Sequence, residues 1–218
     1  MQINILEYGG RDGIERFADK ISMIDQERSF SFQEMETYAQ RCATLLIRCA
    51  DVIREPIAVY LPKSTETIFA DLGIVYSGNA YMNFDVKSPP QRIKSIIDHI
   101  GQRLIVTSWG LARQLQNLGV ASGRLFFIED IFAGEIECDR TELWRRLDRI
   151  IDTDPLCVIN TSGSTGIPKG VALNHRSTID FMDWCFDRLG LDGSERIGSL
   201  SPFFGDHRQR MLHLHSLR

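Results

Sequence analysis

Between Val158 and Val171 the chain reads VINTSGSTGIPKGV, where apolar residues give way to Thr161, Ser162, Gly163, Ser164, Thr165 and Gly166, with Lys169 three positions further on. Glycines at 163 and 166 free the backbone to turn its amides inward. The hydroxyls beside them are short donors around the same concavity. A nest of that kind suits phosphate oxygens. Lys169 adds a full charge, which a polyphosphate calls for and a neutral ligand does not. The bland alternative is a solvated turn of small residues. Against it, both flanks, LCVIN and GVAL, are strand-like, so the loop is expected as an anchored hairpin tip or crossover. It is not a Walker loop, because counting from Gly163 the second glycine of that pattern falls on Pro168. Nor is it a dinucleotide fingerprint, which lacks the hydroxyl cluster and opens a helix directly.

Regular elements must position such a loop, and the preceding sequence supplies them. After the polar stretch QERSFSFQEM, residues Met35, Tyr38, Cys42, Leu45 and Leu46 recur at helical spacing. PIAVYL (Pro56 to Leu61) predicts a short buried strand, and Ser64 is placed to cap a helix through TETIFADLGIVYSG that closes at Gly78. AYMNFD predicts the next strand. A helix follows with Ser88 as its cap, Pro89 in its first turn, Ile93, Ile96, Ile97 and Ile100 at spacings of three and four, and Gly101 as its stop. RLIVTS and RLFFIED predict two further strands on either side of a helix through GLARQLQNLGV. A polar connector carries a short helix around Leu143 to Ile150, and Ser177 with Asp180 forms a capping box for FMDWCFDRLG. Strands and helices alternating at these lengths predict an α/β fold, because parallel neighbours need crossovers and helices supply them.

A chain of 218 residues with 43% hydrophobic side chains can bury a sizeable core. Its 25 basic and 29 acidic residues leave a net charge of −4, which provides no global attraction to nucleic acid or an anionic membrane. An anion must be bound locally. The N-terminus is broken by Glu7, two glycines and Arg11, so it lacks the apolar core of a signal peptide, and no run approaches a membrane span. Five scattered cysteines, never in a C-x-x-C pair, predict buried free thiols in a reducing cytoplasm. His99 reads as a boundary residue, His175 as a capping or packing residue, and Trp109, Trp144 and Trp184 as core or amphipathic-face residues.

TSGSTGIPKGV resembles the phosphate loop of the adenylate-forming (AMP-binding) enzymes, the superfamily of acyl-CoA synthetases, firefly luciferases and the adenylation domains of nonribosomal peptide synthetases. LGIVYSGNAYMNFDVKSPPQRI is similar to the two preceding core motifs of the amino-acid-activating branch. The resemblance implies that a carboxylate, here of an amino acid, attacks the α-phosphorus of Mg²⁺-bound ATP, that pyrophosphate leaves, and that the acyl-adenylate passes to the thiol of a phosphopantetheine carrier domain. It assigns the departing phosphates to Thr161, Ser162, Gly163, Ser164, Thr165, Gly166 and Lys169, and the substrate ammonium to Asp206 in SPFFGD. Residues 1–204 then read as part of the N-terminal region of an adenylation domain, with parallel-sheet layers flanked by helices, and 205–218 as an atypical basic tail carrying three histidines. The family's adenine, ribose, metal and catalytic-lysine motifs find no match, so a truncated chain, inactive alone, is expected. The alternative is a non-catalytic nucleotide-binding or interaction module that keeps only the loop.

Overall fold

A computed structural model of the chain describes residues 4–8, 13–26, 28–101, 104–161, 169–191, 194–199 and 203. Two short helices, α1 (Ile5–Tyr8) and α2 (Gly13–Arg16), precede an antiparallel hairpin of β1 (Ile21–Asp25) and β2 (Arg28–Ser31). Next come α3 (Phe32–Cys49), β3 (Pro56–Val59), α4 (Thr65–Tyr76), β4 (Ala80–Asn83), α5 (Pro90–Ile100) and β5 (Ile105–Thr107). The series continues through α6 (Trp109–Asn117), β6 (Leu125–Phe127), α7 (Arg140–Leu147), β7 (Pro155–Thr161), β8 (Lys169–Asn174) and α8 (His175–Leu189).

Six strands form one sheet in the order β6-β5-β3-β4-β7-β8. Every neighbouring pair is parallel except β7 with β8, so the expected α/β class holds, with one antiparallel strand added. Period-two alternation along β3 divides its side chains between the two layers. Ile57 and Val59 join a core with Phe32, Met35 and Leu46 of α3, Phe69 and Ile74 of α4, Leu147 of α7 and Met182 of α8. Ala58 packs into a second core with Met82, Ile105, Ile93, Ile96 and Ile97 of α5, and Leu115 of α6. Each fully buried large side chain contributes about 1.5–3 kcal/mol.

Local chemistry sets the element ends. Ser31 and Glu34 form a reciprocal capping box at the start of α3. α3 and α4 cross so closely that a Cβ on Gly73 would lie 2.6 Å from Cβ of Cys42. On α5 the cap shifts one residue from the expected Ser88: Pro89 is the N-cap and Pro90 enters the first turn. A proline restricts the residue before it to extended backbone, and Pro89 has ψ 136°. Gly101 stops the helix in the left-handed conformation, φ 64°, as expected. α7 begins at Arg140 because Asp139 accepts from the backbone N–H of Glu142, three residues before the expected start. The strand expected over RLFFIED keeps only Leu125–Phe127, and Ile128–Phe132 coils into a 3₁₀ turn.

Two further expectations are corrected. Cys42, Cys157 and Cys185 are buried, but Cys49, the last residue of α3, is exposed and Cys138 is half-buried; all five are free thiols. Trp144 packs partly against the first core, whereas Trp109 and Trp184 are 63% and 56% exposed. His99 is exposed near the end of α5, as its boundary assignment requires.

Candidate functional site

β7 and β8 settle the geometry on either side of the glycine- and hydroxyl-rich loop. They pair antiparallel, with Thr161 opposite Lys169 as the last register pair, so the connection is a hairpin and not a crossover. The Thr161 hydroxyl donates to the Lys169 carbonyl at 3.2 Å, closing the ladder. Gly170 follows, and a Cβ there would meet Cγ1 of Val158 at 2.9 Å, so a larger residue would force the Val158 side chain or the backbone beside it to shift. Lys169 and Thr161 are both exposed. One residue before Thr161, the Asn160 side-chain amide nitrogen is buried with no partner among the described residues. Ser162, Gly163, Ser164, Thr165 and Gly166 lie outside the described residues, as does Asp206.

The base of the hairpin is tied from several directions. Asn174 caps α8 by accepting from the Ser177 N–H at 2.8 Å, so the helix starts at His175 and the expected Ser177–Asp180 box does not form the cap. An asparagine leaving an extended strand is well suited to that position. The His175 N–H donates to the Asp154 carbonyl (3.3 Å) and the Arg176 N–H to that of Asp152 (2.7 Å). His175 itself is 2% exposed, and its Nδ1 accepts the backbone N–H of Ile5 at 3.0 Å. The proton of the neutral ring therefore sits on Nε2. Burial pushes the imidazole down from its ordinary 6.5 to about 4, against the opposing pull of Asp154 and Asp152. Of the two roles expected for His175, packing is the one observed. Its partner lies 170 positions earlier in the chain, a contact that no local pattern announces.

A cavity of about 790 Å³ opens elsewhere, among Lys20, Ile24, Lys63, Ile68, Phe186 and Phe203, and neither Thr161 nor Lys169 lines it. Among the described residues there is no cluster of three or more His, Cys, Asp or Glu side chains able to hold a metal ion, and no helix long and apolar enough to cross a membrane.

A family profile described as AMP-binding enzyme matches residues 11–217. Tyrocidine synthase 1 of Brevibacillus parabrevis is 26% identical over 184 residues, which is 84% of this chain and 16% of the relative. A linear gramicidin synthase of the same organism is 30% identical over 188 residues, 86% of this chain and 4% of the relative. The chain thus spans a small part of the length of these relatives. In the solved structure of the nonribosomal peptide synthetase FmoA3 with α-methyl-L-serine-AMP bound, the same fold recurs with a TM-score of 0.81 at 19% identity, over 100% of this chain and 23% of that one. The AMPPNP-bound form of FmoA3 superposes with a TM-score of 0.80.

Proposed function

The chain belongs to the AMP-binding enzyme family, and from that premise we propose that its β7–β8 hairpin holds the β- and γ-phosphates of ATP while a carboxylic acid becomes an acyl-adenylate. The acid in this reading is an amino acid, and the product passes to a phosphopantetheine thiol on a carrier domain. Relatives that are peptide synthetases, and a structural neighbour bound to an aminoacyl-type adenylate, support that choice. Mg²⁺ enters as part of the MgATP substrate, bound to its phosphates.

The observation that carries the proposal is the pairing of Thr161 with Lys169 across the hairpin. It brings a hydroxyl and a cation to the two ends of the 162–168 connection, whose glycines and hydroxyls are the donors assigned to the phosphates. As the bond from the α-phosphorus to pyrophosphate breaks, negative charge builds on the leaving oxygens. Donors fixed in advance around them stabilise that charge without having to reorganise. Thr161, Ser162, Gly163, Ser164, Thr165, Gly166 and Lys169 take this role, Thr161 by closing the neck of the loop through its bond to the Lys169 carbonyl, and Asp206 the pairing with the substrate's α-ammonium.

Calorimetric titration of pyrophosphate, ATP and adenosine tests the phosphate assignment. Lys169→Ala should weaken pyrophosphate and ATP by about 1.5–3 kcal/mol, the range for a hydrogen bond to a charged group. Adenosine should compete poorly with pyrophosphate. Equal affinity in parent and variant would remove Lys169 from the site.

A further inference from the structure

The described residues near the hairpin include one contact that the phosphate reading does not use, the bond between His175 and the N-terminal helix. Asn4 is fully buried, and its side-chain oxygen accepts the Leu6 and Glu7 N–H groups at 3.0 and 3.1 Å, capping α1. The Asn4 side-chain amide also reaches the Leu147 carbonyl at the end of α7 (3.5 Å). Ile5, 3% exposed, packs into the core with Ile179 and Met182 of α8, and the Tyr8 hydroxyl bonds the Asp183 carboxylate on the same helix. α1 therefore plugs the junction where α7, the turn before β7 and the start of α8 meet.

A four-residue helix has no stability of its own, so α1 is ordered only while docked. What holds it is the set of contacts with Leu147, His175 and Asp183 together with the burial of Ile5. Through His175, the docked α1 is tied directly to the foot of the hairpin. His175 immediately follows β8, and its own N–H holds the carbonyl of Asp154, the residue before β7. Both strands of the hairpin are thus anchored at the residue that grips α1.

We propose that His175 is a positioning residue: through its bond to Ile5 it fixes the foot of the β7–β8 hairpin and thereby sets how well the tip, roughly 20 Å along the strands, holds phosphate. The proposal rests on the phosphate reading of the tip. It makes the N-terminal segment a control point, since whatever displaces α1 loosens the phosphate site without touching it.

Three variants of the full chain test this, each first shown to unfold cooperatively above the titration temperature. His175→Ala removes the acceptor. Ile5→Pro removes the donor at the first helical position, where proline fits the backbone. His175→Asn restores a neutral acceptor near the position of Nδ1. Amide exchange at residues 6–8 reports docking of α1, and calorimetry with pyrophosphate reports the tip. His175→Ala and Ile5→Pro should lose exchange protection in α1 and bind pyrophosphate about fivefold or more weakly, the lower end of couplings between separate sites. His175→Asn should recover both. Faster α1 exchange with unchanged pyrophosphate affinity would overturn the proposal, as would α1 protection that survives the loss of the bond. A parent that fails to bind pyrophosphate sinks the phosphate reading, and this inference with it. A parent that binds, with Lys169→Ala weaker and the three latch variants unchanged, sinks the latch alone.

Discussion

β4 and β5 are buried along their whole length, and β3 is buried beyond Pro56, whereas β8 exposes every residue from Lys169 to Ala172. The interior strands are held by apolar area on both faces, with helices above and below. The hairpin is held by register, by the close approach that Gly170 permits, and by the contacts at its foot. Burial fixes the first region regardless of what the hairpin does. The second buries little apolar area, and so depends more on hydrogen bonds and on its anchoring at the foot.

The largest expected effect lies in the interior. Phe69 is fully buried in the α3–α4 core, and Phe69→Ala should cost about 3–5 kcal/mol through lost transfer energy and the cavity left behind. Urea titration measures it. A loss under about 1 kcal/mol, small for any truncation in a packed core, would mean that burial does not hold this region.

A somewhat smaller effect comes from the foot of the hairpin and depends on pH. The unfolded chain protonates His175 below about 6.5, while the folded ring resists down to about 4. Its contribution to stability is therefore complete above pH 6.5 and is lost as the pH falls through that window, by on the order of 3 kcal/mol in all. Asp152 and Asp154 face the same ring, and Arg176 pairs with Asp152, so the comparison must be made against His175→Asn, which keeps those groups. The difference in stability between parent and variant should shift by that amount between neutral pH and the folded ring's value of about 4. A pH-independent difference would show that the ring does not titrate as its burial requires.

The smallest effect is at the tip. Gly170→Ala places a Cβ against Val158, and the strain should cost about 1–2 kcal/mol, felt first as faster exchange in β8. Equal slowing or acceleration in β3 and β8 would erase the distinction between interior and hairpin.

Much of the interior was legible in the sequence because burial on both faces writes apolar runs and helical spacing directly into it. PIAVYL, AYMNFD and the isoleucines of α5 needed no knowledge of their neighbours. Element ends were harder, since Ser88 and Pro89 or Ser177 and Asn174 compete locally for one cap, and backbone restriction or strand geometry decides between them. β2 forms within the stretch expected only to be polar, because its four residues gain order by pairing with β1 and by the packing of Phe30 on Phe69 and Tyr38, neither of which is a local signal. α1 was not legible at all: its order comes from contacts with α7 and α8, 143 and 170 positions away. At the candidate site, the strand-like flanks of the loop were legible and form β7 and β8, while the anchoring of its foot through His175 left no local signature.

The contact between Gly73 and Cys42 also has a chemical consequence. A Cβ at position 73 would lie 2.8 Å from Sγ of Cys42, so the thiol is sealed between two helices, and burial with the nearby Asp71 carboxylate pushes its ionisation far upward. Cys49, on the same helix, is exposed. An electrophile or oxidant meeting the folded protein therefore encounters one end of α3 and not its middle. Cys42 is shielded for as long as α3 and α4 stay together, so its reaction with a thiol reagent reports opening of that helix pair, whereas that of Cys49 does not.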